Sequence, residues 1–544
     1  MGCFFEDERN EYVGEEHQQR RNMMSTIKSI LLFILLFFAN FISAQNKSGY
    51  TWIVGNNASY GAFDGSANRP QTGSVYQTTS PNFPYAFTAG SSNICDSATG
   101  KLLLLCNGMQ VFDTAGHFID NGDSLVPSKI YGLNVLPNAP AAQGSIILPK
   151  GINTYYIFTP TVSDTTFDKW FAPNATKTPY DMLLYHIVDM NANGGLGKVI
   201  KKKIELLTNT EMSRTNMTAC RHSNGIDWWL LKKIGYESNH IARFLVTKDS
   251  IYGPYFQYFA KPDFGIYDAT GQSSFSPDGK KYASVQGKSN KLFMADFDRC
   301  TGELSNPKVF NIPIDSTSYQ PLDNAGNLDS IIGGCTFSPN NKYLYISKRF
   351  NIYQFEYDEP DSSLAWYNVK RGTDTTWVSF EYYLSLKLGI DNRIYIGKAA
   401  GSHKQFSVID YPDIKGVGCG FCRKCFRVDS ALGGLNTPPN IPNFNLGASA
   451  QVCWPLSSQQ LAVGSEQLVL YPNPSRTRID VRYERRDKRN ASLEIYNTIG
   501  QRVYSSHISS AMADTSHVSI DVSNLSTGVY YLRCENQVVK VIIE

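Results

Sequence analysis

Six times between residues 97 and 412 the chain repeats one layout: a turn carrying Gly, Asn or Asp, a strand-like run, then a second run ending near Asp, Thr or Pro. SATGKLLLLCNG (97–108) leads to MQVFD (109–113), and PKGINTYYIFTP (149–160) to LLYHIVD (183–189). HSNGIDWWLLKK (222–233) leads to IARFLVT (241–247), and FSPDGKKYASVQG (275–287) to LFMADFD (292–298). FSPNNKYLYISK (337–348) leads to IYQFEYD (352–358), and GIDNRIYIGKA (389–399) to FSVIDYP (406–412). Successive turns stand roughly 50 to 75 residues apart, the period of a stacked or radial repeat. Long helical periodicity is not evident. A four-stranded propeller blade with its loops fits each repeat, so the pattern predicts an all-β fold, a β-propeller of six blades, with seven as the other count. TWIV (51–54) is the candidate outer strand to close the ring, since closure leaves only short, protected edges. Unrelated hairpins in a sandwich are the competing architecture.

The repeat makes positional predictions. The turns at Gly100, Asn153, Asn224, Asp278, Asn340 and Asp391 should occupy equivalent places around one ring. Tyr343, Tyr345 and Ser347 should point opposite to Leu344 and Ile346, because strand side chains alternate. Residues 160–221 should hold an insertion besides ordinary blade strands, and the polar, turn-rich stretch 161–180 is placed on the rim as a candidate binding loop.

Phe275-Ser276-Pro277-Asp278-Gly279-Lys280 and Phe337-Ser338-Pro339-Asn340-Asn341-Lys342 resemble the F-S-P-D-G-K turn of propeller repeats related to the TolB and WD families. That motif is structural: Pro presets φ, and Asp-Gly makes the tight turn. Cys95 to Asp113, His222 to Trp229 and Leu388 to Ile396 also resemble a group of large exported propeller proteins. Their closing phrase G-L-P-N-F appears here in altered form as Asn440-Ile441-Pro442-Asn443-Phe444. The resemblance implies a fold more than an activity.

Ile30 to Phe38 reads ILLFILLFF, nine apolar residues, which suits a signal peptide and is too short to span a bilayer. Lys28 precedes it, and Ala44 offers a small residue for cleavage before Gln45. An uncleaved anchor is the other reading. Residues 1–22 are acidic where a basic region is expected, so translation is read as starting at Met23 or Met24. Region 1–44 is thus assigned to the signal peptide. The net charge of +3 over 544 residues argues against a nucleic-acid binder driven by phosphate neutralisation.

Eleven cysteines less Cys3 leave ten in the exported chain, where disulfides are permitted. Cys419, Cys422 and Cys425 have CxxCxxC spacing, which could hold a metal or cluster, but no fourth ligand stands near, so disulfides are the expected use. Cys95, Cys106, Cys220, Cys300, Cys335 and Cys453 are open as partners. Mature histidines are few (His117, His186, His222, His240, His403, His507, His517), with no HExxH and no GxSxG. Trp228-Trp229 could stack a sugar, though packing between blades is the plainer role. Asp followed by Ser or Thr recurs at Asp96, Asp113, Asp123, Asp249, Asp329 and Asp429; this resembles a bacterial O-glycosylation sequon and equally suits ordinary turns. No catalytic, cofactor-binding or metal-binding residue is assigned.

Around residue 455 the character changes: 454–467 reads as a linker, and from 468 strands alternate cleanly. Tyr471-Pro472-Asn473-Pro474, Leu493 to Asn497 with Gly500 to Val503, Ile520 to Leu525 and Ser526 to Leu532 together resemble the type A sorting domain of the type IX secretion system, with Lys540-Val541-Ile542 as its closing strand. A generic adhesive sandwich is the alternative. The resemblance implies a small β-sandwich over 468–544, export across the outer membrane, and contact with the secretion machinery and a surface sortase. The basic run from Arg482 through Arg485, Arg486 and Lys488 to Arg489 reads as a solvated strand end or a docking patch. The organisation expected is therefore 1–44, propeller 45–453, linker 454–467 and sorting domain 468–544. Function is expected to be non-enzymatic binding or adhesion to an unknown glycan or protein ligand, at the cell surface or in the medium. The alternative is a secreted hydrolase of polysaccharide or peptide with its site in the propeller funnel.

Overall fold

The structure is a computed structural model. It describes residues 46–54, 59–62, 90–131, 143–171, 180–235, 240–259, 271–286, 290–313, 332–348, 351–361, 364–369, 383–398, 405–427, 437–449, 453, 468–471, 475–484, 491–497, 501–508, 515–534 and 537–544. The expected signal peptide and the 454–467 linker lie outside the described residues.

Six antiparallel sheets follow one another along the chain, each with its strands hydrogen-bonded in sequence order. They are the six blades. Blade 1 holds Ser92–Cys95, Leu102–Cys106 and Val111–Phe112, and blade 2 holds Ile146–Gly151, Thr154–Thr161, Met182–Asp189 and Lys198–Leu207. Blade 3 holds Met212–Arg221, Trp228–Ile234, His240–Val246 and Ile251–Gln257, and blade 4 holds Gly271–Phe275, Lys281–Gln286, Lys291–Phe297 and Leu304–Asn311. Blade 5 holds Ile332–Phe337, Tyr343–Lys348, Asn351–Glu356 and Trp366–Asn368, and blade 6 holds Tyr383–Leu388, Ile394–Lys398, Gln405–Ile409 and Phe421–Arg427. Blade 1 completes its edge with a single bridge from Phe112 to Phe118.

The six turns fall where the repeat put them. Each joins the first strand of its blade to the second, from Gly100 in blade 1 to Asp391 in blade 6. Side-chain chemistry fixes two of them alike. Ser276 Oγ donates to Asp278 Oδ1 (2.6 Å) and accepts from Lys281 N; Ser338 Oγ donates to Asn340 Oδ1 (2.7 Å) and accepts from Tyr343 N. Neighbouring turns also link: Asp278 N donates to Asn341 Oδ1 at 3.0 Å. Between blades, alternation works as expected. Leu344 and Ile346 pack toward blade 4 with Ala283 and Val285, whereas Tyr343 and Tyr345 pack toward blade 6 with Tyr383 and Ile394.

TWIV takes another position than the expected outer strand. Thr51–Val54 pairs with Ser59–Ala62, and Thr51 O accepts from Asn93 Nδ2 in the first strand of blade 1. Trp52, too bulky and apolar for an exposed edge, sets its ring edge-on to Tyr395 of blade 6 at 5.4 Å. Among the described residues the first and last blades thus meet through a buried indole.

Residues 160–221 contain three ordinary blade strands and the connection between the second and third strands of blade 2. That connection is less polar in its packing than in its composition. Val162, Phe167 and Tyr180 are buried in the core, and Asp181 accepts from the Ser163 hydroxyl (2.6 Å) and the Thr166 hydroxyl (2.8 Å). Residues 172–179 of the candidate loop lie outside the described residues.

The C-terminal strands form two sheets. Leu468–Tyr471, Arg478–Glu484 and Thr515–Asp521 make one; Ala491–Asn497, Arg502–Ile508, Gly528–Cys534 and Gln537–Ile543 make the other. Ile479, Val481, Ile520 and Val522 of the first face Leu493, Ile495, Leu532 and Val541 of the second in a shared core, which is the small sandwich expected. Of the basic run, residues 485–489 lie outside the described residues.

Candidate functional site

A propeller's usual site is the mouth or bore of its ring, so the first strands of the blades come first. They and the residues leading into them are rich in Ser, Thr, Asn and Gln, and these side chains are buried: Asn93, Ser145, Thr215, Asn216, Gln272, Ser273 and Ser385 among them. Buried polar groups must be paired, and here they pair across the ring. Gln143 Nε2 donates to Ser273 O and its Oε1 accepts from Ser273 N, both at 2.9 Å. Gln272 repeats this toward blade 6, donating to Leu386 O (2.8 Å) and accepting from Leu386 N (3.0 Å). Each glutamine amide therefore pairs with the backbone of a first strand two blades on, as a one-residue ladder would, Gln143 from just before blade 2 and Gln272 from within blade 4. Gln272 can pass blade 5 because Gly334 stands in its way without a side chain; a Cβ there would lie 2.2 Å from Gln272 Oε1.

The segment after blade 6 joins this network. Asn440 Nδ2 donates to Ser145 O (2.9 Å) and Met217 O (3.1 Å), and its backbone N–H to Ser91 O (2.9 Å). Lys387 Nζ donates to Ile441 O. Residues 440–441 thus touch blades 1, 2, 3 and 6. The segment then runs over the face carrying the six turns: Asn443 Nδ2 donates to Pro277 O (3.0 Å), Ser449 N to Ser223 O (2.9 Å), and Arg299 to Gly447 O (2.5 Å). Phe444 sits edge-on to Trp228 at 5.5 Å. A disulfide from Cys453 to Cys300, in the turn between the last two strands of blade 4, ends the strap.

The residues singled out in the sequence find structural roles. Trp228 lies under the strap with the Arg221 guanidinium 4.2 Å above its ring. Trp229 is buried between blades 3 and 4 and donates from Nε1 to Arg299 O at 3.0 Å. Neither ring is open to a sugar. Cys422 and Cys425 are bonded to each other, and Cys419 is a buried free thiol. Burial pushes the thiols of Cys95, Cys106 and Cys419 up to about 11, which leaves them poor nucleophiles. His186 is fully buried, accepts from Lys203 N at Nδ1, and is pushed down to about 3 by that burial and by nearby lysines. Among the described residues, no group of three His, Cys, Asp or Glu side chains converges as a metal site would require. Of the Asp-Ser/Thr pairs, Ser97 and Thr114 are exposed in turns, while Ser250 is half-buried.

Sequence reasoning missed one open feature. Where blades 4 and 5 splay, a cleft of about 260 Å³ is lined by Lys281, Met294, Asp296, Asn306, Lys308, Phe310, Tyr357 and Asp358. Lys281 Nζ lies 2.6 Å from Asp296 Oδ1, and Asn306 Nδ2 donates to Asp296 Oδ2 at 2.8 Å. Partial burial works to raise the Asp296 carboxyl, yet the Asn306 and Lys281 bonds outweigh it and hold the group below its usual range.

Residues 469–544 match the model of the secretion system C-terminal sorting domain. This segment is the sorting domain of the type IX system, so the protein is exported to the cell surface or beyond. No curated protein matches the chain. Similar solved structures include apo AztD from Citrobacter koseri (10% identity, covering 72% of this chain and 96% of that one, TM-score 0.31). An auxiliary nutrient binding protein from Bacteroides thetaiotaomicron is another (10%, 57% and 67%, TM-score 0.31). A protein from Lactobacillus plantarum is a third (9%, 79% and 98%, TM-score 0.31). At such scores the propeller rests on this chain's own sheet order.

Proposed function

We propose that this exported chain is a non-enzymatic recognition protein of the cell surface or medium, a propeller that binds a glycan or a protein partner through its outer surfaces. The observation that carries the reading is the network among the blades' first strands: Gln143, Gln272 and Asn440 commit their side chains to hydrogen bonds between blades, where a funnel hydrolase would need groups free for its substrate. Hydrolysis of polysaccharide or peptide would need carboxylates or an activated nucleophile converging on such a space. Burial holds the thiols of Cys95, Cys106 and Cys419 and the His186 ring in their uncharged forms, and the buried Asp181 carboxylate is engaged by the Ser163 and Thr166 hydroxyls of its own connection.

In this reading the N-terminal apolar segment takes the chain to the periplasm, 454–467 is a linker, and the tail engages the secretion machinery before a surface sortase removes it. The secreted protein should bind members of glycan or peptide arrays and leave them chemically intact, as read by mass spectrometry of the recovered ligands. Turnover of any array member would overturn the proposal.

A further inference from the structure

We infer that the cleft between blades 4 and 5 is a carbohydrate subsite, taking one sugar unit of a neutral glycan chain; this rests on the recognition reading above and gives it a place.

The cleft arises from strand alternation. Lys281, Ala283 and Val285 share one face of blade 4's second strand, opposite Asp296, Met294 and Leu292 of the third. Deeper along that face, Val285 and Leu292 pack against blade 5. Toward the turn end the blades part, and the face ends in polar side chains instead of a core. The result is an amphipathic trough. Met294, which is buried, and Phe310, which is half-buried, form an apolar floor. Lys281, Asp296, Asn306, Lys308 and Asp358 form a polar rim, and the half-buried Tyr357 comes from blade 5.

This composition selects its ligand class. Two lysines and two aspartates leave no net charge, so neither a polyanion nor a polycation is favoured. The volume of about 260 Å³ lies just under the range of drug-sized pockets, which suits a single ring. A sugar presents hydroxyls around its edge and C–H groups on its faces. The floor and Tyr357 can meet the faces, and the rim the hydroxyls. The rim groups are already ordered by one another: Asp296 is held by Lys281 and Asn306, and the Lys281 ammonium stands 5.9 Å from the centre of the Tyr357 ring. Such pre-ordering lowers the entropy lost when a hydroxyl bridges them.

The test is affinity electrophoresis of the secreted protein through gels containing dextran, laminarin, mannan or xylan, with heparin as a polyanion and an albumin gel for protein binding. Lys308→Ala and Asp296→Asn are the variants, because Lys308 is exposed and Asn preserves the shape of Asp296; Tyr367→Ala, an exposed aromatic on blade 5, is the control. The expected result is retardation by at least one neutral polysaccharide, at least tenfold weaker in both variants and unchanged in the control. Retardation that persists in both variants would overturn the cleft while leaving surface recognition standing. Retardation by heparin alone, or by no polysaccharide, would overturn the carbohydrate assignment; binding to no glycan and no protein would remove the recognition reading as well.

Discussion

Gly334 shows how one residue can decide the interior of a ring. Its missing side chain is the passage through which Gln272 reaches Leu386, and an added Cβ would also come within 2.8 Å of Ser385 Cα. Neither neighbour can yield cheaply, since one is backbone and the other is committed to two hydrogen bonds. Gly334→Ala should therefore cost about 1–3 kcal/mol, the range for overpacking a filled interior. Gly151→Ala meets nothing within 4 Å and should change stability by less than about 0.5 kcal/mol. Urea unfolding of both variants checks this, and equal midpoints would refute the role given to Gln272.

At the scale of elements, the strap over residues 437–449 adds polar ties to blades 1, 2, 3, 4 and 6 that neighbour-to-neighbour packing does not supply. Asn440 satisfies carbonyls on two blades and is itself satisfied by a third, whereas the exposed Asn443 side chain reaches a single blade carbonyl, Pro277 O, and otherwise accepts only the local Asn445 N–H. Asn440→Ala leaves buried carbonyls unpaired and should cost about 2–3 kcal/mol; Asn443→Ala should cost about 1 kcal/mol or less. Denaturant midpoints of the two variants separate these, and a cost at Asn440 no larger than that at Asn443 would deny the strap its place at the axis. The blades themselves were legible in the sequence because turn chemistry repeats: Ser276 with Asp278 and Ser338 with Asn340 write the same local structure twice. The strap was legible only as an altered family phrase. Its meaning comes from partners hundreds of positions away, and no local period reports such contacts. The same holds for the cleft, whose residues look like ordinary strand polar positions until Tyr357 is brought across from another blade. Trp52 misled for a related reason: its strand pattern was right, and its partner lies more than 340 positions along the chain in the last blade.

At the scale of the whole molecule, the sorting domain and the propeller make separable predictions. The tail has its own two-sheet core, so a chain ending before Leu468 should still fold its ring but remain in the periplasm. Fractionation and immunoblotting check this, and normal levels of the truncated protein outside the cell would contradict the sorting role of 469–544. Should the secreted protein be held at the surface through its C-terminal side, the Cys300–Cys453 bond acquires a mechanical meaning. Among the described residues Cys453 is the last one before the tail, and its covalent partner lies 153 positions upstream. Tension from a surface tether would enter blade 4 at Cys300 and pass on toward the N-terminal blades. The strands of blades 5 and 6 and the strap lie inside the closed covalent loop, spared from the pull. Shear from flow or from a bound partner would then leave the lock on the axis slack, and the stretch of chain that would otherwise peel away first would be shielded.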